Sequence, residues 1–300
     1  MDEEPGGPGP DLRDAHRFAL EVARAAGGLL RRGVRGELHT RAKSASGDLV
    51  TDLDLAAERL IVDRIRARWP EHGVIAEEGG EYAPDTRWAW LVDPLDGTNN
   101  VAIGLSAYVV GIALCDRGSP VVGVVHDPVA GRTWSAVRGQ GAFVGAGGAA
   151  GRALRARHRP VPAAPVLAWT QGHGVRRDDS TARALKVVLD STARRVLQLW
   201  APLLSWVMLA RGDIDGIIGY HPESVDLPAG VLLAVEAGMT VRALDGGCFD
   251  DRYGCPAERR SFVAGPPETI DRLVKLVTAA QWIEPQIRRL TPVTLTTVGW

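Results

Sequence analysis

The sequence predicts a mixed α/β and α+β fold, and three observations carry that prediction. An amphipathic helical pattern opens the chain, with apolar residues at Ala15, Phe18, Ala19, Val22, Ala23, Ala26, Leu29 and Leu30. A series of short apolar runs separated by turn residues follows. After these, strand-like and helix-like segments alternate, the mark of an α/β unit. The 300 residues are 45% hydrophobic and 24% charged, which is ample for a buried core in two lobes.

Residues 1–10, MDEEPGGPGP, are acidic and rich in Gly and Pro; they read as a disordered lead-in and the reverse of a secretory signal. Asp11 starts the first helix and Gly33 stops it. A second helix is predicted from near Asp54 to Trp69, ended by Pro70. Residues 74–76 and 89–92 are short apolar runs that stop at acidic residues, and both read as strands. Residues 108–114 and 121–126 flank Asp116-Arg117-Gly118-Ser119-Pro120, a hairpin signal, and 133–137 with 142–144 extend the same antiparallel sheet. The lobe spanning 11–155 closes there. Residues 145–151 read as a flexible loop and 152–165 as the passage to a second lobe, 156–280. That lobe is predicted as strand 166–169, helix 180–189, strand 195–199, helix 203–210, strand 214–218 and helix 227–237, with a last helix over 268–279. Residues 281–300 carry no assignable pattern and are set apart as a tail.

Composition also excludes several function classes. The formal net charge is −1, so no global field attracts a nucleic acid polymer or anionic lipid. No run of 18 apolar residues is present, so no membrane span is expected. Cys115, Cys248 and Cys255 make an odd count without a CxxC pair, which argues for reduced thiols and a cytoplasmic location. The histidines show no metal-type pairing and receive no role.

The chemistry concentrates in acidic residues at element boundaries: Asp54 before a helix, Glu77-Glu78 after a strand, Asp93 and Asp96 after a strand, and Asp226 before a helix. Carboxylates so placed can converge on one point. A hard cation such as Mg²⁺ takes oxygen ligands, and two such ions can clamp an in-line phosphoryl displacement. Each residue also has a plainer explanation. Asp54 and Asp226 could be helix caps, Glu77-Glu78 a solvated pair, Lys43 a surface lysine, and Trp200 and the Trp88/Trp90 pair mere packing. The stretch Asp93-Pro94-Leu95-Asp96-Gly97-Thr98 resists such a reading. Pro94 turns the chain so that Asp93, the Leu95 carbonyl and Asp96 can face one side, and Gly97-Thr98 offers amides at a helix start.

Asp93-Pro94-Leu95-Asp96-Gly97-Thr98-Asn99, preceded by Glu77-Glu78 and followed by Asp226, resembles the inositol monophosphatase family. Gly47-Asp48-Leu49-Val50-Thr51-Asp52-Leu53-Asp54 with Glu58, and Lys43 before it, is similar to that family's first motif. Gly139-Gln140-Gly141-Ala142-Phe143 and Asp226-Leu227-Pro228-Ala229-Gly230, ending in Glu236-Ala237-Gly238, resemble two more. The resemblance covers about residues 11–279. It implies a layered αβαβα sandwich of the inositol monophosphatase/fructose-bisphosphatase type, a homodimer, and two to three Mg²⁺ ions. By the same resemblance, Glu77, Asp93 and the Leu95 carbonyl would hold the first ion, and Asp93, Asp96 and Asp226 the second. Glu77, with Glu78 nearby, would help with a third. Thr98 paired with Asp54 would orient the attacking water, and the Gly97 and Thr98 amides would receive the phosphate.

The departures fall in the substrate pocket. Val101 stands where the family has an aromatic, and Val225 where it has a Trp. Trp200-Ala201-Pro202 replaces a small-residue segment, and the acid that grips an inositol hydroxyl in the family aligns near Gly219, leaving Glu223 as the closest acid. Altered hydrogen-bonding groups change polyol selectivity. The expected function is therefore Mg²⁺-dependent hydrolysis of a small phosphate monoester, a sugar or cyclitol phosphate in a specialised biosynthetic pathway. A 3′-phosphonucleotide or fructose-bisphosphate phosphatase is the alternative within enzymes, and a catalytically silent phosphate-binding scaffold the alternative outside them.

Overall fold

The computed structural model describes residues 9–36, 38–43, 49–83, 86–146, 151–157, 160 and 162–290. Gly47 and Asp48 of the first motif, most of the lead-in, most of the predicted 145–151 loop and residues 291–300 of the tail lie outside them.

Helix α1 (Leu12–Gly33) begins at Asp11, whose side chain accepts from the Arg13 amide at 2.9 Å. Its buried stripe is built mainly of alanine, at 15, 19, 23 and 26, which lets it lie close to the sheet beneath. Strands β1 (Thr40–Ala42) and β2 (Leu49–Thr51) form a small antiparallel pair ahead of α2 (Asp52–Arg68). Next come β3 (Gly73–Ala76), β4 (Gly80–Tyr82), β5 (Trp88–Asp96), the short α3 (Thr98–Ala102), β6 (Val109–Asp116), β7 (Ser119–Asp127), β8 (Arg132–Val137), β9 (Gly141–Ala146) and β10 (Arg152–Leu154). Seven of these strands join β4 in an eight-stranded sheet of order β10-β9-β8-β7-β6-β5-β3-β4. Only the β3–β5 pair is parallel; the others are antiparallel.

The rest of the chain supplies β11 (Val166–Gln171), α4 (Ser180–Thr192), β12 (Arg195–Leu197), α5 (Pro202–Arg211), β13 (Gly216–Tyr220), α6 (Pro228–Glu236), β14 (Thr240–Ala243), a 3₁₀ turn at Ala257–Arg260, β15 (Phe262–Gly265), α7 (Ile270–Thr278) and α8 (Ala280–Arg288). Its sheet has the order β12-β11-β13-β15-β14, parallel across β12-β11-β13 and antiparallel across β13-β15-β14. Helices α1 and α2 cover the outer face of the first sheet, α5 and α6 fill the space between the sheets, and α4, α7 and α8 cover the second. The layering is αβαβα, as expected. The central strands of both sheets are buried on both faces, so β5 reads Ala-Trp-Leu-Val without polar alternation.

Between the sheets Trp206 stacks on Phe262 at 4.7 Å between ring centroids. Helix α6 approaches β7 so closely that a Cβ at Gly123 would stand 2.9 Å from the Ala229 carbonyl oxygen. Only glycine leaves room for that contact.

Several boundaries differ from the sequence prediction. Residues 152–154 form β10 at the edge of the first sheet, so the passage to the second sheet begins only after Leu154. The strand placed at 214–218 runs two residues later as β13, and the helix placed at 268–279 is shorter and is followed by α8, which takes up residues 281–288 of the predicted tail. The second helix starts at Asp52, because Thr51 and not Asp54 is its cap. Strands β1, β2, β4, β14 and β15 have no counterpart in the prediction.

Candidate active site

The parallel pairing of β3 with β5 sets Ala76 opposite Val92. Each strand continues into an acidic residue, so Glu77 comes to lie beside Asp93, and the Glu77 amide donates to the Val92 carbonyl at 3.1 Å. Pro94 cannot donate to the ladder, and the register of β5 against β6 shifts between Asp93 and Asp96. The bulge brings Asp93 Oδ1 within 3.1 Å of the Leu95 amide, which donates to it. Asp93 and Asp96 are only 3% and 4% exposed.

A second set of groups arrives from α2. Thr51 caps this helix, its hydroxyl accepting from the Leu53 and Asp54 amides at 3.2 and 3.3 Å. Asp54 completes the reciprocal half of the capping box: its Oδ2 accepts from the Thr51 amide at 2.9 Å and also from the Thr51 hydroxyl. Its other oxygen, Oδ1, accepts from the Thr98 hydroxyl at 2.6 Å, across 44 residues of chain. The Leu95 carbonyl is a further acceptor 3.0 Å from Thr98 Oγ1. Gly97 turns the chain into α3 with φ of 114°, and a Cβ there would meet the Ala107 carbonyl oxygen at 2.7 Å. Asn100 fastens the following loop by donating to that carbonyl at 2.7 Å.

The electrostatics are those of excess negative charge. Burial, then the charges of Glu77, Asp96 and Asp226 and a hydrogen bond shared with Glu77, pushes the Asp93 carboxyl well above the usual range. Asp96 is also pushed up, by burial and by Glu77. The Leu203 amide opposes this, donating to Asp96 Oδ2 at 2.7 Å, as does the Leu204 amide. Asp96 thus serves as the cap that Ala201, at the start of α5, cannot provide. Burial raises Asp54 as well, against the lowering effect of its bonds from Thr51 and Thr98. Lys43 stands between Glu77, at 2.8 Å, and Glu78. Burial alone would lower its pKa, but the two carboxylates raise it on balance. Glu78 is pushed up to about 7, by burial first, and its amide donates to Glu58 Oε2 at 2.7 Å.

At an effective dielectric of about 20, two like charges about 4 Å apart repel by roughly 4 kcal/mol. Asp93 has three carboxylate neighbours that raise its pKa, Glu77, Asp96 and Asp226. A buried, all-oxygen set of this kind fits a hard divalent cation, which would replace repulsion by coordination. Among the described residues no three of these side chains already form a closed cage. Asp96 is turned toward α5 and Glu77 toward Lys43.

Asp54, Thr98, Lys43, Glu77, Glu78, Asp93, Leu95, Asp96, Gly97 and Asp226 therefore share one neighbourhood. The pocket residues are more scattered. Trp200 is 58% exposed, so its packing reading fails, whereas Trp90 is fully buried in the core. Ala201 is buried directly before α5. Gly219 is buried in β13, and a Cβ there would stand 2.1 Å from the Phe262 ring, which fills the space a larger side chain would need. Glu223 Oε1 accepts from the His173 amide at 3.1 Å. Sequence reasoning missed Thr51 and the Leu203 amide. Thr51-x-x-Asp54 carries a readable capping signal; a backbone amide carries none.

The profile of the Inositol monophosphatase family matches residues 11–281. The chain is 33% identical over 233 residues to the Nus factor SuhB of Pasteurella multocida, covering 77% of this chain and 85% of that one. It is 31% identical over 240 residues to inositol monophosphatase 2 of Solanum lycopersicum, covering 77% and 88%. Among solved structures, an inositol monophosphatase from Anabaena superposes with a TM-score of 0.76 at 26% identity, covering 90% of this chain and 97% of that one. SuhB of Mycobacterium tuberculosis gives 0.70 at 26%, covering 91% and 98%.

Proposed function

The chain belongs to the inositol monophosphatase family, and from that premise we propose that it is a Mg²⁺-dependent phosphatase acting on a small phosphate monoester, a sugar or cyclitol phosphate. The observation that carries this reading is the Thr98–Asp54 hydrogen bond of 2.6 Å at the edge of the buried carboxylates.

With its proton directed to Asp54, Thr98 Oγ1 keeps lone pairs to accept a hydrogen bond from a water and so to orient that water's oxygen toward phosphorus. Burial raises the basicity of Asp54, so it can take the Thr98 proton as the hydroxyl takes one from the water. The Gly97 and Thr98 amides are the donors assigned to the phosphate. Lys43, held by Glu77 and Glu78, adds a positive charge beside an anionic substrate. Glu77, Asp93, the Leu95 carbonyl, Asp96 and Asp226 would hold two to three Mg²⁺ ions, which when bound would neutralise the phosphate and acidify the water. Little covalent chemistry is asked of the side chains, since phosphoryl transfer rewards positioning and charge neutralisation.

Gly219 offers no side chain to grip a polyol hydroxyl, and Trp200 is exposed next to the α5 amides that hold Asp96. A substrate other than inositol 1-phosphate is consistent with both. No helix among the described residues is long and apolar enough to cross a membrane, and we place the enzyme in the cytoplasm as a homodimer. The relatives named Nus factor favour a second reading, a scaffold that retains the site without turnover. Phosphate release from a panel of sugar, cyclitol, nucleotide and fructose phosphates, with Mg²⁺ and with chelator, decides between them. Turnover that needs Mg²⁺ and concentrates on one class supports the phosphatase. Silence across the panel by a protein that still binds Mg²⁺ supports the scaffold.

A further inference from the structure

On the outer face of the first sheet, the strand positions beneath α1 are apolar at Val122, Val124 and Val137. The neighbouring positions change character. Thr133 and Ser135 of β8 are 2% and 3% exposed on that face, and His126 of β7 is paired with Thr133 in the register. Helix α1 answers with polar groups of its own. His16 Nε2 is 2.8 Å from Ser135 Oγ, and Arg24 Nε donates to Thr133 Oγ1 at 3.4 Å, while His126 Nδ1 lies 2.9 Å from the same hydroxyl. Gly145, register partner of Thr133, projects no side chain, and the result is a cavity of about 240 Å³ closed on one side by Phe143 and His16.

Buried hydroxyls and imidazoles cost stability unless they are bonded, and valines would have continued the helix–sheet contact without that cost. Here the polar groups are retained and gathered around an open space. Two guanidiniums, Arg13 and Arg24, line it, and among the described residues no Asp or Glu does. Among the described residues neither arginine is ion-paired with a carboxylate. The acids of α1 are engaged elsewhere, Asp14 with Arg17 and Arg68 and Glu21 with Arg64. The lining shares no residue with the carboxylate cluster.

We propose that this cavity is a binding site for a compact organic dianion, with Arg13 and Arg24 holding its charged groups and the His16–Ser135 pair reading a hydroxyl or a carboxylate oxygen. Arginine suits this role because its planar fork matches carboxylate and phosphate oxygens. A volume at the small end of ligand pockets limits the occupant to a metabolite of a few carbons.

The test uses the full chain, freed of metal with chelator, and L-malate, a four-carbon hydroxy dianion, as the probe in isothermal titration calorimetry. Wild type should bind one malate per chain. The double variant Arg13→Gln/Arg24→Gln, which loses both charged donors, should bind at least about tenfold more weakly. Asp93→Asn should bind as wild type does. The imidazole proton signals of His16, assigned with His16→Gln, should shift as malate is added. Unchanged circular dichroism of the double variant shows that a loss of affinity is not a loss of fold; should it fail to fold, the His16 shift in wild type carries the decision. Equal heats in wild type and double variant, or an unmoved His16 signal at saturating malate, would overturn the assignment. Since the site stands apart from Thr98 and Asp93, neither result bears on the phosphatase reading.

Discussion

The start of α2 and the end of β5 bury carboxylates almost equally, Asp54 at 1% and Asp93 at 3% exposure, yet they surround them differently. Asp54 receives donors from the Thr51 amide, the Thr51 hydroxyl and the Thr98 hydroxyl. Asp93 receives the Leu95 amide and otherwise faces Glu77, Asp96 and Asp226. A carboxylate supplied with donors is part of a finished network that holds a hydroxyl in place. A carboxylate set among others is short of positive charge, and removing a compensating cation from such a place is costly. The fold thus supplies one half of the site with its hydrogen-bond donors and leaves the other half short of positive charge, which under the proposed function a Mg²⁺ ion would provide.

The largest effect should come from breaking the incomplete half. Asp93→Asn should lower phosphate release by roughly a thousandfold or more, several kcal/mol of transition-state stabilisation. Thr98→Ala breaks the finished half and should lower the rate on the order of 10²–10³-fold, the usual weight of positioned proton transfer. Steady-state rates at saturating Mg²⁺ check both, and a Thr98→Ala enzyme with wild-type turnover would remove this half from the chemistry.

A smaller effect sharpens the contrast in metal-free protein. The folded Asp93 carboxyl titrates above its unfolded value. The folded state therefore binds more protons, and the penalty for ionising Asp93 grows as pH rises from the unfolded pKa. Asp93→Asn should raise the melting temperature of the metal-free protein at pH 8 by about 2–6 °C, and the gain should vanish by about pH 4. A gain independent of pH, seen by calorimetry, would refute the electrostatic cause. The smallest effect belongs to Thr51→Ala, which should cost about 1 kcal/mol through loss of the cap, or about 2–4 °C. Its melting temperature should also fall more than wild type's as pH rises from the unfolded carboxylate pKa, because Asp54 loses a donor that lowers its pKa.

Much of this contrast is legible in the sequence, for identifiable reasons. Glu77 and Asp93 each follow an apolar strand, so the parallel pairing of β3 with β5 brings together what the residue order already suggests. Asp-Pro-Leu-Asp-Gly-Thr announces the bulge and the turn. Asp54 is recognisable as a site residue, but its position inside the helix rests on Thr51, a short-range signal easily taken for part of a strand. The anchoring of Asp96 by Leu203 is not legible, because it joins a side chain to a backbone amide 107 residues away. Strands β1, β4 and β14, three or four residues long and with no buried residue, show no period to read. Helix α8 escapes because Pro285 lies inside it and reads as a breaker. In the pocket, the fate of Gly219 is decided by Phe262 from another strand, which residue type alone does not reveal.

The most direct test of the division between the two halves is calorimetric titration of Mg²⁺ into wild type, Thr98→Ala and Asp93→Asn. Thr98→Ala should bind Mg²⁺ with wild-type stoichiometry and with affinity within about threefold, under 1 kcal/mol, while Asp93→Asn should lose at least one site. Equal loss in both variants, or Mg²⁺ binding undisturbed in Asp93→Asn, would contradict that division.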